Sequence, residues 1–250
     1  MLNVITSFTK EGFNQYGRKC LETFKHYWPS NVKLTIYHEG EIETPLKKHF
    51  NWVPIEEVEH LGSFLNNLHF PLMRGGDPYD INWDARMARK SFMQMHSCQK
   101  YGGKVFWLDG DTITHAQVPE TFLDECLPFD KLNCFLGRDG WYYTESGFIG
   151  FNAEHPLFRK FYELYLGIFV TGSIFKLKGW HDCYGFDAAR KAMNADDAFV
   201  NLAKDVPIGT MHPFINTVCG TYMDHRKGNR KDSRTPATEL VLGREEPYWS

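Results

Sequence analysis

The sequence predicts an α/β protein with a mixed, mostly parallel central sheet flanked by helices, and three observations predict it. NVITSF (3–8) and KLTIYHE (33–39) are short β-branched and aromatic runs, and residues 12–28 between them repeat apolar side chains every three or four positions. That order of strand, amphipathic helix and strand is the βαβ unit from which parallel sheets are built. KVFWL (104–108), an apolar run directly after a predicted helix, is typical of a central parallel strand.

The other elements of the first half follow from the same patterns. VPIEEV (53–58) is consistent with a third strand at the edge of the sheet, and RGGDPYDIN (74–82) has the composition of a loop. A long helix is predicted over Asp84–Tyr101, because apolar residues recur on one of its faces and Gly102-Gly103 ends it.

For the second half of the chain, the sequence predicts two strands and two helical stretches. CFLGRDG (134–140) and SGFIGFN (146–152) are the strands, and residues 155–169 form a helix with Pro156 near its first turn. GWHDCYGFDAAR begins a further helical stretch that runs to about residue 204. We find no repeat or linker, so the simplest organisation is a single domain over residues 1–250.

Composition limits the functional classes. The 250 residues are 42% hydrophobic and 24% charged, with a formal net charge of −3, which indicates a globular protein without an overall basic field. The six cysteines form no CxxC pair, which favours reduced thiols in the cytoplasm. No apolar stretch approaches the roughly 20 residues of a membrane span, and MLNVITSFTK lacks the basic start of a signal peptide.

Two carboxylates follow the predicted central strand. Asp109 and Asp111 stand where an α/β sheet binds its ligands, beyond the carboxyl end of a strand, with the slim Gly110 between them. Oxygen ligands of this kind suit Mg²⁺ or Mn²⁺ bridging to phosphates. The alternative is a solvated turn, because the pattern DxD also occurs by chance in loops.

DHRKGNRK (224–231) is the second candidate motif. Lys227, Arg230 and Lys231 can neutralise phosphate oxygens, and Gly228 allows the backbone to approach a diphosphate. His225 is a possible third metal ligand. A basic run alone favours a disordered tail or a patch for nucleic acid, whereas a basic run paired with an acidic metal site favours a diphosphate site.

Taken together, the order WLDGDT, ESGFIGFN, WHD and DHRKGNRK resembles the GT-A class of nucleotide-sugar glycosyltransferases. That family has a Rossmann-like sheet and a DxD motif at a strand end, where Mn²⁺ or Mg²⁺ bridges the nucleotide diphosphate. Members similar to glycogenin and bacterial galactosyltransferases add a late His-x-x-Gly-x-x-Lys element, which His225, Gly228 and Lys231 match. The resemblance implies a nucleotide-binding half over about residues 1–115 and an acceptor-side half over about 116–250.

The resemblance also implies roles for individual residues. Asp109 is expected to contact the donor ribose and the metal, and Asp111 and His225 are expected to bind the metal. The other expected donor contacts are Thr6, Ser7 and Phe8 at the nucleoside, Arg86 and Lys90 at the base or diphosphate, and Lys227, Gly228, Arg230 and Lys231 at the diphosphate.

Two carboxylates remain for the catalytic side. Glu145, before GFIGFN, is expected to hydrogen-bond hydroxyls of the sugar or acceptor, and Asp182 of WHD to lie near the reacting carbon. Either carboxylate could instead be a helix cap or a surface charge. The absence of a plain acidic pair and the presence of His225 favour a retaining enzyme. His181 and His212 are further candidates without a spacing argument.

The sequence therefore predicts a metal-dependent glycosyltransferase that moves a sugar from a UDP- or GDP-linked donor to an acceptor hydroxyl on a glycan, small molecule or modified nucleic acid. One alternative is a nucleotidyltransferase that makes a sugar nucleotide, although TSFTKEGFNQYGRK lacks the Gly-rich loop of that class. The other alternative is a non-catalytic module that binds nucleic acid through the basic residues 225–234.

Overall fold

The computed structural model of the chain describes residues 2–66, 78–138, 140 and 142–249, with the backbone alone over residues 78–86. Its strands are β1 (Leu2–Thr9), β2 (Lys33–Glu39), β3 (Asn51–Pro54), β4 (Lys104–Leu108), β5 (Thr112–Thr114), β6 (Asn133–Leu136), β7 (Glu145–Asn152), β8 (Phe199–Asn201) and β9 (Met223–His225). Its helices are α1 (Lys10–Gly12), α2 (Arg18–Tyr27), α3 (Leu61–Asn66), α4 (Pro78–Tyr101), α5 (Phe122–Cys126), α6 (Phe158–Val170), α7 (Asp182–Met193) and α8 (Cys219–Tyr222).

Seven strands form the central sheet in the order β3-β2-β1-β4-β7-β6-β8. β7 is antiparallel to both of its neighbours, and the other pairs are parallel. This confirms the predicted mixed, mostly parallel sheet. Because β1 and β4 are parallel neighbours, the residues that end them lie at the same edge of the sheet.

The first crossover begins at the end of β1. The Thr9 hydroxyl accepts a hydrogen bond from the Gly12 backbone N–H at 3.0 Å and caps α1. The chain then passes through a π-helical turn at Phe13–Gly17 and continues as α2. α2 buries Cys20, Leu21 and Phe24 against the sheet, as its apolar spacing predicts.

Helix α4 corrects the predicted loop over residues 74–82. The helix already begins at Pro78, so the loop prediction was wrong for residues 78–82; residues 74–77 lie outside the described parts of the chain. Proline is well suited to the first position of a helix, because its fixed φ is helical and its missing N–H has no partner there. Reading the proline as a loop residue placed the start of the helix too late.

Three other boundaries differ from the prediction, and the first is the strand expected over residues 134–140, which ends at Leu136. The edge strand ends at Pro54 and residues Ile55–Glu57 form a 3₁₀ turn, so VPIEEV is not a strand throughout. The last helical stretch does not reach residue 204. α7 ends at Met193, because Asn194 adopts a left-handed conformation (φ 50°), and β8 then joins the sheet beside β6.

Apolar side chains cover both faces of the sheet. One cluster includes Phe8, Phe106 and Phe148, and the other includes Trp107, Ile149 and Phe186. All six cysteines are buried free thiols. None of the helices in the described parts of the chain combines the length and the hydropathy that a bilayer span requires.

A second, two-stranded sheet brings distant parts of the sequence together. β5 pairs antiparallel with β9, and Thr112 lies opposite His225 in the register. The residues just before β5 therefore meet the end of β9, although more than a hundred residues separate them in the sequence. This pairing joins the two motifs that the sequence singles out.

Candidate functional site

The DGD turn directly follows β4 at the edge of the sheet. The Asp109 backbone N–H donates to the Gly147 carbonyl on β7 at 2.9 Å, and the Thr112 N–H donates to the Asp109 carbonyl at 3.1 Å. Gly110 is required by packing, because a Cβ atom there would overlap the ring of Phe8. The turn is thus held between β1 and β7, and it projects both carboxylates from the sheet edge.

His225 faces both carboxylates. Its Nε2 lies 3.2 Å from Oδ1 of Asp111 and 3.4 Å from Oδ2 of Asp109. One potential ligand atom from each of the three residues falls within 4.8 Å of the others. Two carboxylates and an imidazole form a ligand set that fits a divalent cation.

The charges of the three side chains are strongly coupled. Burial alone would lower the pKa of His225, but the facing carboxylates of Asp111, Glu145 and Asp109 raise it to about 9. Burial would raise the pKa of Asp111, but His225 and Lys231 lower it to about 2. The two acids therefore attract positive charge to the position between them, and a bound cation would compete with the proton on His225.

Glu145 lies behind His225. Its Oε1 is 3.0 Å from Nδ1 of His225 and 2.6 Å from Nζ of Lys227, and its Oε2 accepts the Phe214 N–H at 3.2 Å. The side chain is only 3% exposed. Burial would raise its pKa, but Lys227 and the two neighbouring histidines hold it well below the usual range. This carboxylate orients the imidazole so that Nε2 faces the aspartates.

Glu145, His212 and His225 also form a second group of potential metal ligands. The Lys227 ammonium already supplies positive charge to Glu145 in that group. The group formed by Asp109, Asp111 and His225 is the better candidate for a cation, because its two aspartates line an open cleft, whereas Glu145 and His212 are both almost fully buried.

Lys90 reaches the site from α4 and is almost fully buried. Its Nζ donates to Oδ1 of Asp109 at 2.7 Å and to the backbone carbonyl and hydroxyl of Ser146. Oδ2 of Asp182, at the first position of α7, lies 3.5 Å from the same ammonium. Lys90 thus links the DGD turn, β7 and the start of α7.

A cleft of about 430 Å³ opens beside these residues. Six of the predicted site residues line it: Ser7, Phe8, Lys90, Asp109, Asp111 and Lys231. Thr6 is fully buried and does not line the cleft. The Arg86 side chain lies outside the described residues, and Arg89 on the same helix lines the cleft instead, paired with Glu39.

The side chains of the basic segment point in different directions around the 3₁₀ turn Gly228–Arg230. Lys231 faces the cleft, with its Nζ 3.4 Å from Oδ2 of Asp111 and 4.0 Å from the centre of the Tyr16 ring. Gly228 adopts φ 59°, which favours glycine, and is open to solvent. Arg230 points away from the aspartates and pairs with Glu239.

Among the cleft residues that sequence reasoning missed, besides Arg89, are Trp107, Tyr16 and Ser146. Trp107 Nε1 donates to Oδ1 of Asp109 at 2.6 Å, and its position two residues before Asp109 on the strand was the available signal. Tyr16 lies on the π-helical turn, where burial and the charges of Asp111 and Asp109 raise its pKa to about 12. For Ser146, the only signal in the sequence was its place at the start of the predicted strand SGFIGFN (146–152).

A second cavity of about 580 Å³ lies on the other side of Lys227. Its wall includes Tyr142 and Tyr143, whose ring centres are 4.0 Å apart, and Arg138, which lies against both rings. The Tyr143 ring also packs against Tyr184 on α7. The cavity therefore adjoins both the Glu145–Lys227 pair and the helix that begins with Asp182.

Comparison with solved structures identifies the fold. Mouse xyloside xylosyltransferase 1 in its apo form matches 80% of this chain over 84% of its own, at 14% identity and a TM-score of 0.50. A glycosyltransferase involved in glycosylation of the major capsid of PBCV-1 matches 92% of this chain over 96% of its own, at 13% identity and a TM-score of 0.50. No protein-family model and no curated protein matches the sequence. The chain thus has the GT-A glycosyltransferase fold, as its motifs predicted.

Proposed function

We propose that this chain is a metal-dependent glycosyltransferase that moves a sugar from a nucleoside diphosphate sugar, UDP- or GDP-linked, to an acceptor hydroxyl. One observation carries the proposal. Asp109, Asp111 and His225 converge within 4.8 Å beside a cleft at the sheet edge, in a chain with the fold of known glycosyltransferases. Ligands of α/β sheets bind at this edge.

The residues around the cleft fit a nucleoside diphosphate. A divalent cation held by Asp109, Asp111 and His225 would neutralise charge on the diphosphate. Lys231 extends its ammonium beside Asp111, where it can meet phosphate oxygens as the leaving group gains charge. Phe8 and Tyr16 supply the apolar wall on which a nucleoside can rest.

The two remaining carboxylates take different roles in this proposal. Asp182 is 2% exposed and its Oδ2 has no hydrogen-bond partner among the described residues, although the Lys90 ammonium lies 3.5 Å away. A carboxylate with spare acceptor capacity can bind a hydroxyl of the transferred sugar or stabilise positive charge at the reacting carbon. Glu145 instead acts as a positioning residue, because both of its oxygens contact protein groups.

The second cavity is the proposed entrance for the acceptor. It adjoins the start of α7 through Tyr143 and the metal ligands through Lys227 and Glu145. Tyr142 is 42% exposed and offers a ring face, while Thr210 and Glu239 add hydrogen-bonding groups. Ring faces combined with hydrogen-bonding groups suit the CH faces and hydroxyls of a glycan or a small polyhydroxyl compound.

The alternative of a solvated DGD turn is less well supported. The Asp111 side chain is 13% exposed and its two oxygens face His225 and Lys231. The Asp109 side chain is 26% exposed and accepts from Lys90 and Trp107. In a solvated turn, water would satisfy both carboxylates, and these four protein partners would not be needed.

A panel of nucleotide sugars with Mn²⁺ tests the proposal, using thermal stabilisation and donor hydrolysis as readouts. We expect one donor class to raise the melting temperature with Mn²⁺ and to be hydrolysed slowly, and EDTA to remove both effects. Asp111→Asn should abolish both responses, while Asp130→Asn, an exposed carboxylate away from the cleft, should retain them. If no donor responds with metal, or if Asp111→Asn behaves like the wild type, the proposal fails.

A further inference from the structure

We propose that Tyr248 is a positioning residue for the metal ligand His225, and that it acts by anchoring the carboxylate of Asp224. The inference rests on the proposed metal-binding role of His225. It assigns a function to the segment Arg244–Trp249, hereafter the clamp, which no motif in the sequence singles out.

Asp224 is a fully buried carboxylate one residue before His225 on β9. Its Oδ2 accepts hydrogen bonds from the Tyr248 hydroxyl at 2.7 Å and from the Thr235 N–H at 3.1 Å, and its Oδ1 accepts from the Thr235 hydroxyl. Arg226 Nη2 donates to the Tyr248 hydroxyl at 3.2 Å. A buried carboxylate requires such partners, because an unpaired one would carry a large desolvation cost.

The anchor on Asp224 fixes the backbone that carries His225. Consecutive side chains on a strand point to opposite faces, so the contacts of Asp224 on one face set the direction of the imidazole on the other. β9 is only three residues long and pairs with the equally short β5, so backbone pairing alone gives it little rigidity. The Arg226 N–H donates to the Asp111 carbonyl at 3.0 Å, which ties the end of β9 to the other half of the site.

The clamp is itself firmly attached to the domain. The Tyr248 ring stacks on His115 with ring centres 3.9 Å apart and planes within 4°. Trp249 is 5% exposed and donates its Nε1–H to the Gly220 carbonyl at 2.8 Å. Arg244 Nε donates to the Ile215 carbonyl at 2.8 Å. These contacts hold the Tyr248 hydroxyl at a fixed position beside Asp224.

Tyr248→Phe is the appropriate change, because it removes the hydroxyl and leaves the ring that packs on His115. Altering a residue that orients a metal ligand lowers metal affinity by about 10- to 100-fold in other proteins. Tyr248 acts through one further residue, so we expect a loss of about tenfold. Thr235→Val removes the other side-chain hydrogen bond to Asp224 and should have the same direction of effect.

The experiment measures binding of Mn²⁺ alone to the full chain by the loss of the free-ion electron paramagnetic resonance signal. Electron spin-echo modulation from ¹⁴N then reports whether an imidazole is bound to the ion. We expect the wild type to show ¹⁴N modulation, Tyr248→Phe to bind about tenfold more weakly with reduced modulation, and Tyr27→Phe, on α2 and outside the clamp, to match the wild type. Melting temperatures without metal identify any general loss of folding.

The possible outcomes distinguish the positioning role of Tyr248 from the metal-binding role of His225. Weaker binding and reduced ¹⁴N modulation in Tyr248→Phe, with the metal-free melting temperature retained, support the positioning role. Wild-type affinity and modulation in both Tyr248→Phe and Thr235→Val overturn it and leave the proposed function intact. The metal role on which the inference rests is overturned if the wild type binds no Mn²⁺. It is also overturned if His225→Gln binds Mn²⁺ as tightly as the wild type does.

Discussion

The imidazole of His225 lies directly against the backbone of Gly147, where a Cβ atom would come within 2.6 Å of both Nδ1 and Cε1. Gly147 lies on β7, and its carbonyl accepts the Asp109 N–H. One glycine therefore borders both halves of the candidate metal site.

Gly147→Ala tests this contact. Because the added methyl group overlaps the ring, we expect His225 to move away from Asp109 and Asp111 and Mn²⁺ affinity to fall at least tenfold. Overpacking should also lower the free energy of unfolding by about 1 to 3 kcal/mol. Calorimetric titration with Mn²⁺ and urea unfolding measure the two effects. The matched control is Gly167→Ala on α6, where an added Cβ meets open space; unchanged Mn²⁺ affinity in Gly147→Ala would contradict the geometry.

Lys90→Met should be strongly destabilising. The substitution removes the ammonium that faces Asp109 and Asp182, and it leaves Asp182 buried without a counter-charge. Breaking a buried pair from one side lowers the free energy of unfolding by about 3 kcal/mol or more. Urea unfolding measures the loss, and adding Asp182→Asn to Lys90→Met should restore part of it. Lys47→Met, at an exposed ion pair, should change stability by less than about 0.5 kcal/mol.

Tyr142→Ala should separate acceptor binding from donor chemistry. The ring lies in the second cavity and not in the cleft, so donor hydrolysis should be retained. Loss of an aromatic stacking surface should lower kcat/KM for the acceptor by about tenfold, which corresponds to about 1.4 kcal/mol. Steady-state assays with the best acceptor sugar measure both rates. Tyr142→Phe keeps the ring and should keep the activity; equal losses of hydrolysis and transfer in Tyr142→Ala would argue against an acceptor site there.

Stability should depend on pH through His115. Burial lowers the pKa of His115 from 6.5 to about 4. Between these values the unfolded chain binds more protons than the folded one, so the free energy of unfolding falls as the pH is lowered through this window. His115→Phe retains a ring against Tyr248 and should show a shallower fall. Urea unfolding across a pH series measures the slopes, with His26→Phe on α2 as control; parallel wild-type and His115→Phe curves would refute the assignment.

Sequence reasoning predicted the parts of the fold that depend on local pattern. β1, α2, β2 and β4 lie where apolar periodicity placed them, because each buries one face or both. The errors occur where one residue decides a boundary. Pro78 begins a helix that was read as a loop, and Asn194 ends one that was expected to continue.

Residues of the candidate site could be predicted where the spacing within a motif indicates metal or phosphate binding. Asp109, Asp111, His225 and Lys231 were expected together, and the structure places them together. The direction of each side chain was not predictable in the same way. Arg230 turns to Glu239 at a 3₁₀ turn, and Glu145 on β7 faces His225 on β9, eighty residues further along the chain. The contact of Glu145 with His225 joins residues far apart in the sequence, which local patterns do not encode.

The pairing of β5 with β9 has a consequence for the order of folding. Closing a loop of more than a hundred residues costs conformational entropy, and a contact of such long range forms late unless other contacts first shorten the path. We therefore expect Asp109 and Asp111 to meet His225 late in folding, after contacts within the central sheet have shortened the path. A cation bound by all three residues would stabilise this late contact between β5 and β9. Its removal should therefore speed local opening of β9 more than global unfolding.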